Sequence, residues 1–278
     1  MFLPATRLEL DNLGWEQLDI ILVTGDSYID SPFIGTAVIG KVLAHAGYRV
    51  GIIAQPDIHS DKDICRLGEP RLFWGVSGGS VDSMIANYTA LKKKRRSDDY
   101  TPGGINNRRP DRATIVYTNL IKRYFKNTRP IVLGGIEASL RRIAHYDFWS
   151  ERVRSSILFD AKADYLLYGM AEKAVLQLAG SLNAGADVRN IRGLCYIAGE
   201  LDDILKKGDY LELPPYETAA QDKRSFIDMF QTFYQNSDPI TAKGLYQKHG
   251  TRYLVHNPPA TYLTQDELDA IYALDFER

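Results

Sequence analysis

At 278 residues, the chain exceeds the roughly 100–200 residues of one ordinary domain, which predicts one large domain with a smaller appendage. Hydrophobic residues make up 45% and charged residues 25% of it, a globular balance, and no stretch approaches the roughly 20 consecutive apolar residues that a membrane-spanning helix needs. The formal net charge of −1 gives no overall pull toward nucleic acid or an anionic membrane, so any such contact rests on a local patch. Met1 to Pro4, followed by Arg7, Glu9 and Asp11, lack the basic-then-apolar pattern of a secretory signal, and a cytoplasmic setting is expected. Cys65 and Cys195 stand far apart. They indicate ordinary partly buried thiols, with neither a disulfide framework nor a cysteine cluster.

The run Asp19-Ile-Ile-Leu-Val-Thr-Gly25 predicts a strand buried on both faces and closed by glycine. A loop over 26–32 leads to a helix over 33–46, with Ile34, Val38 and Val42 on one stripe and Gly47 as its stop. A second strand over 48–54 completes a βαβ unit, whose crossover should be right-handed and whose sheet should be parallel. A third strand is expected over 71–77, then a helix over 83–92 capped by Asp82 or Ser80. From Lys92 to Pro110 periodicity disappears, which predicts an exposed, partly mobile loop. Helical spacing returns over 113–125, a fourth strand over 130–134, a helix near Ser139, a fifth strand over 164–168 and a helix over 172–182. Beyond about Asn190 short strands are expected over 193–199 and 210–215. They are followed by a helix carrying Phe226, Met229, Phe230 and Phe233, then a turn-rich Val255-His-Asn-Pro-Pro259. Thr264 with Glu267 forms a capping box for a last helix, expected to run to the end of the chain.

Gly25 and Asp26 close the first strand, where open α/β sheets place ligands; a tight turn capped by Asp26 is the plainer reading. Gly75, Gly78 and Gly79 would allow close backbone approach at the third strand's end, as do many βα turns without a ligand. Neither a dinucleotide fingerprint nor a Walker lysine pattern is present. The richest stretch runs from Gly134 and Gly135 through Glu137, Arg141, Arg142 and His145 to Asp147. Glu137 could move protons and the two arginines could hold an anion. Against this stands a Glu137–Arg141 pair four residues apart with His145 a satisfied, half-buried ring. Asp57, His59 and Asp61 resemble a carboxylate–imidazole cluster but read better as a solvated loop. Lys92 to Arg96 with Arg108, Arg109 and Arg112 form the one basic patch. Its aromatic interleaving is limited to Tyr100, so nucleic-acid binding is not expected.

The strings Trp15-Glu-Gln-Leu-Asp-Ile-Ile-Leu-Val-Thr-Gly-Asp26, Gly51-Ile-Ile-Ala-Gln-Pro56, Gly75-Val-Ser-Gly-Gly-Ser80, Gly134-Gly-Ile-Glu-Ala-Ser-Leu-Arg-Arg-Ile-Ala-His-Tyr-Asp147 and Tyr168-Gly-Met170 resemble, in order, the N-terminal region of the YgiQ family of radical-SAM proteins. The resemblance implies a cobalamin-binding-like α/β domain, then a radical-SAM barrel in cis or in trans, then a basic tail. The full-length relatives are expected to hold a 4Fe-4S cluster and S-adenosylmethionine through three closely spaced cysteines beyond the matched region. Two scattered thiols cannot ligate three irons, so this chain alone is expected to be without radical chemistry and to bind no cofactor of that kind. Cobalamin domains often carry D-x-H-x-x-G after the first strand, whereas Asp26 is followed here by Tyr28 and Ser31, which removes a histidine ligand. Ala171 stands where the family usually has glycine, and its methyl would restrict backbone approach there.

The expected fold is α/β, a doubly wound mostly parallel sheet of about five strands over 1–190, followed by a smaller mixed α+β region over 191–278. The implied role is accessory: shaping or covering the active site of the barrel, with contacts to an unknown small-molecule or macromolecular substrate. Candidate ligand-binding residues are Gly25, Asp26, Tyr28, Gly78, Gly79, Gly134, Gly135, Glu137, Arg141 and Arg142. Two other readings stay open, a stand-alone small-molecule or cobalamin module and one half of a split enzyme.

Overall fold

The computed structural model describes residues 2–200 and 209–277. Helix α1 (Arg7–Asn12) opens on a Thr6–Glu9 capping box and packs Leu10 under the first strand, β1 (Ile20–Thr24). Then follow α2 (Gly35–His45), β2 (Val50–Ala54), β3 (Phe73–Ser77), α3 (Ser83–Asn87), α4 (Ala113–Tyr124), β4 (Ile131–Gly134) and α5 (Gly135–Leu140). A two-stranded hairpin, β5 (His145–Asp147) with β6 (Arg152–Arg154), stands apart from the main sheet. The chain returns through α6 (Ile157–Ala161), β7 (Tyr165–Leu167) and α7 (Glu172–Ala184). Its last part comprises β8 (Leu194–Ala198), β9 (Tyr210–Leu213), α8 (Tyr216–Gln221), α9 (Lys223–Gln235), β10 (Gly244–His249), β11 (Arg252–His256) and α10 (Gln265–Tyr272).

All strands but the hairpin join one sheet in the order β2-β1-β3-β4-β7-β8-β11-β10-β9. The first five are parallel, with Ile20 opposite both Val50 and Phe73, Trp74 opposite Ile131 and Val132 opposite Tyr165. This is the doubly wound α/β fold. The period-two alternation of each strand separates the core into two layers. Ile21, Val23, Trp74, Val76 and Leu133 face Ala113 and Tyr117 of α4 and Leu158 of α6. On the other side, Ile20, Leu22, Phe73, Val132 and Leu167 face Leu43 of α2 and Ala174, Val175 and Leu178 of α7. Full burial of each large aliphatic or aromatic side chain contributes about 1.5–3 kcal/mol. Beyond β7 the pairing is antiparallel through β8, β11 and β10, and the edge strand β9 then pairs parallel with β10. Two reversals bring β11 back into the direction of β7, so His256 arrives at the carboxyl edge of the parallel strands.

Several local expectations change. The loop over 92–110 is bound down by buried polar groups: Asp98, Thr101, Asn106 and Arg109 are all buried, and bridges pair Tyr88 with Lys94 and Ser97 with Ile105. The helix after Asp82 ends at Asn87 and not at Lys92, because the chain turns out to place Tyr88 in the first of those bridges. The helix expected near Ser139 starts earlier, at Gly135, and gives way to the β5–β6 hairpin. Val255 and His256 belong to a strand whose partner β10 was not expected, joined through Gly250 at φ 59°. Finally, α10 stops at Tyr272, and the segment after it folds back. Phe276 packs on Ala37, Val38 and Val42 of α2, and Lys41 bridges Asp30 at 2.9 Å.

Candidate functional site

Strand order reverses between β1 and β3, and the carboxyl ends of the strands open there into a crevice. Its floor is made of two loops pressed together. A β-carbon on Gly25 would stand 2.2 Å from the Gly78 carbonyl oxygen, and one on Gly79, at φ 108°, would stand 2.1 Å from Asp26 Oδ1. Only glycine meets both demands. Asp26 accepts the Ser80 backbone N–H at 2.6 Å and pairs with Arg109 at 2.7 Å. The Arg109 guanidinium also donates to the Gly78 carbonyl at 2.7 Å and meets Asp98 at 3.2 Å. This buried cation thus ties the loop after β1, the loop after β3 and the segment 98–109 together. It is no member of a solvated basic patch, which is where its sequence neighbours placed it.

Glu137, also buried, comes to the same edge: a β-carbon on Gly78 would stand 2.6 Å from its Oε2. Its carboxylate accepts the backbone N–H groups of Ser83 at 2.8 Å and Thr114 at 2.9 Å, fixing the starts of α3 and α4. The expected side-chain pair with Arg141 does not form. Arg141 reaches Asp82 and the backbone carbonyl of Glu137 instead. Arg142 turns away from its neighbour. Its guanidinium lies 4.6 Å from the Tyr168 ring and 4.5 Å from Phe233, and its Nε donates to His256 Nε2 at 2.9 Å. His145 is satisfied by the Ile143 carbonyl at 3.1 Å, and burial holds its pKa down at about 4. Tyr28 accepts the Leu3 N–H at 3.1 Å and donates to Asp30 at 3.2 Å, while burial raises its pKa. Asp57 accepts from the His59 backbone and Ser60, forming a turn.

A cavity of about 430 Å³ lies beside this edge, on the α2/α7 face of the sheet. Leu22, Phe73, Gly75 and Leu167 form its floor, Thr36 and Ile39 of α2 and Val175 of α7 its walls. Gly79, Gly134 and Gly135 line the mouth, whereas Asp26, Glu137, Arg141 and Arg142 do not line it. Ala171 does, at φ −98°, a conformation any residue adopts. Phe33 and Met170, which sequence reasoning passed over, border the mouth and are largely exposed. Their signal was available: large apolar side chains beside Pro32 and Gly169, in loops where burial is not expected.

The residues of this chain do not fit an iron–sulfur cluster. Cys195 is buried in β8, its pKa pushed up to about 12 by burial, and Cys65 is likewise raised. Among the described residues no group of three or more His, Cys, Asp and Glu could hold a metal ion, and no helix is long and apolar enough to cross a membrane.

Sheet order, two helical layers and a crevice at the strand-order reversal define a doubly wound α/β domain. A family model described as Radical SAM N-terminal matches residues 2–278, and the chain belongs to that family. A UPF0313 protein of Fusobacterium nucleatum is 54% identical over 278 residues, covering 100% of this chain and 48% of the relative. One from Thermotoga maritima is 56% identical over 283 residues, with the same coverages. A third, from Methanocella arvoryzae, is 49% identical over 98% of this chain and 45% of its own length. The chain therefore spans about half the length of these curated relatives. Among solved structures, a radical S-adenosylmethionine methyltransferase, TsrM from Kitasatospora setae, with cobalamin and a 4Fe-4S cluster bound, is similar at TM-score 0.42. The identity is 19%, over 65% of this chain and 27% of that one.

Proposed function

We propose that this chain is the accessory N-terminal domain of a cytoplasmic radical-SAM protein. In that protein a barrel, in cis or in trans, carries the 4Fe-4S cluster and S-adenosylmethionine. The observation that carries the reading is a mismatch: the family match runs over residues 2–278, while the two cysteines cannot ligate three irons. The cluster then belongs to the other half of the length that the relatives have. The carboxyl edge, braced by Asp26, Arg109 and Glu137, is the surface offered for shaping or covering the barrel's active site. To test this, the chain is co-expressed with the remaining half of a UPF0313 relative and reconstituted anaerobically. The two halves are expected to co-purify and to cleave S-adenosylmethionine only together. Stoichiometric iron and sulfide on this chain alone, or failure of the halves to associate, would reject the reading.

A second reading, a small-molecule module, is favoured by one observation, the largely apolar cavity beside the strand-order reversal. Its lining suits a mainly apolar group. Cobalamin would find no metal-centre ligand in the loop after β1, since histidine is absent there and Tyr28 is engaged by Leu3 and Asp30. Titration with cobalamins, followed by ultraviolet–visible absorption, decides the matter. No spectral shift and no retained colour would reject the cofactor version.

A further inference from the structure

The β5–β6 hairpin and the loop over 88–106 are far apart in sequence but build one surface. The turn of the hairpin presents Phe148, 57% exposed, beside Trp149, with ring centroids 6.5 Å apart and planes within 14° of parallel. Tyr88 supports Trp149 edge-on at 4.6 Å. The Lys92 ammonium lies 4.9 Å from the centre of the Phe148 ring and 5.5 Å from that of Trp149, and pairs with Glu151 at 2.9 Å. Lys94 faces Tyr88 across an isolated bridge. Lys93, Lys94 and Arg96 are exposed and make no ion pair among the described residues.

A run of basic residues on a flexible loop is usually just solvated. This one is held in place: Arg109 anchors the loop to Asp98 and Asp26, Asn106 donates to the Arg95 carbonyl at 3.2 Å, and Arg112 ties the loop to Asp147 of the hairpin at 2.7 Å. An exposed Phe148 ring, held nearly parallel to a half-buried Trp149 and bordered by uncommitted cations, matches the two demands of a single strand, a face on which a base stacks and charges that follow phosphates. A duplex keeps its base faces covered, and an acidic peptide has no flat groups to stack.

From this we infer that the Lys93–Lys94–Arg96 and Phe148–Trp149 surface binds single-stranded nucleic acid. The inference stands on this chain's own residues, whether or not a barrel joins it. Fluorescence anisotropy with labelled oligo-uridine and oligo-thymidine of about 12 nucleotides tests it, a length within the usual site size of such platforms. Saturable binding that weakens as salt rises is expected, and a preference for either strand identifies which nucleic acid the surface takes. The triple variant Lys93→Glu, Lys94→Glu, Arg96→Glu should lower affinity at least about tenfold and flatten the salt dependence. Phe148→Ala should lower affinity about fivefold or more while leaving the salt dependence in place. All four side chains are exposed, and thermal unfolding checks that both variants keep the fold. The inference is overturned by absence of binding at low salt, by equal competition from duplex or poly-glutamate, or by full binding in Phe148→Ala. It is also overturned if the chain binds vesicles containing phosphatidylserine and not the oligonucleotides, an outcome that Leu91, 80% exposed on the same loop, makes worth measuring.

Discussion

Arg142 donates from Nε to Nε2 of His256 at 2.9 Å, so the imidazole keeps that lone pair and carries its hydrogen on Nδ1. Burial, with the nearby guanidinium second, holds the His256 pKa at about 3, and burial holds His145 and His249 at about 4. In the unfolded chain these rings take up a proton near pH 6.5, as ordinary histidines do. Because the folded values are depressed, their contribution to stability is complete above about pH 6.5 and is lost as the pH falls toward 4 and then 3. Each costs up to about 1.4 kcal/mol per pH unit in that window. Urea midpoints at several pH values should fall below neutrality. His249→Phe, which keeps the stacking against Phe159 and Tyr216, should reduce that slope by one proton's share.

Arg109 neutralises two buried carboxylates, so its loss leaves Asp26 and Asp98 without a cation. Arg109→Met should destabilise the fold by about 3–5 kcal/mol. Adding Asp26→Asn should recover part of that loss, since the pair acts as a unit. Chemical denaturation of the single and double variants measures both effects.

Glu137 holds two backbone amides at the starts of α3 and α4. Glu137→Ala should cost about 1–3 kcal/mol for each donor left unpaired, and Glu137→Gln, which keeps one acceptor oxygen, should cost less. Hydrogen exchange at Ser83 and Thr114 should accelerate in the alanine variant well before distant amides change.

The two thiols should differ in reach. Cys195 is buried with its pKa pushed up to about 12, while Cys65 is partly exposed, its pKa also raised by burial. A disulfide reagent at pH 8 should modify Cys65 slowly in the native chain and Cys195 only in denaturant. Fast native reaction of both would show that the sheet opens near β8.

The parallel half of the sheet was legible in the sequence because its strands are short apolar runs closed by glycine, and α2 and α7 carry clear apolar stripes. The β5–β6 and β10–β11 hairpins were not; in the second, Gln247, His249 and His256 are polar residues buried by groups distant in sequence, Met229, Phe159 with Tyr216, and Tyr168 with Phe233, which local hydropathy cannot anticipate. At the crevice, Gly25, Asp26, Gly78, Gly79 and Glu137 lie together because each sits at or just beyond the carboxyl end of a parallel strand, a position that a glycine-closed apolar run reveals. Arg109 was hidden, since a buried arginine within a basic stretch looks like its solvated neighbours until Asp26 and Asp98 surround it. Adjacent Arg141 and Arg142 read as one anion-holding pair, yet opposite orientations send them to different partners, Asp82 and His256.

The antiparallel contact of β7 with β8, where Leu166 faces Cys195, bears on how this protein can be shortened. A chain ending at residue 190 would leave β7 with a row of unsatisfied amides and carbonyls beside Leu166 and Leu167. Such an open margin recruits strands from other molecules. That fragment should accumulate as insoluble or oligomeric material on size-exclusion chromatography, whereas the 278-residue chain carries its own cover for that margin.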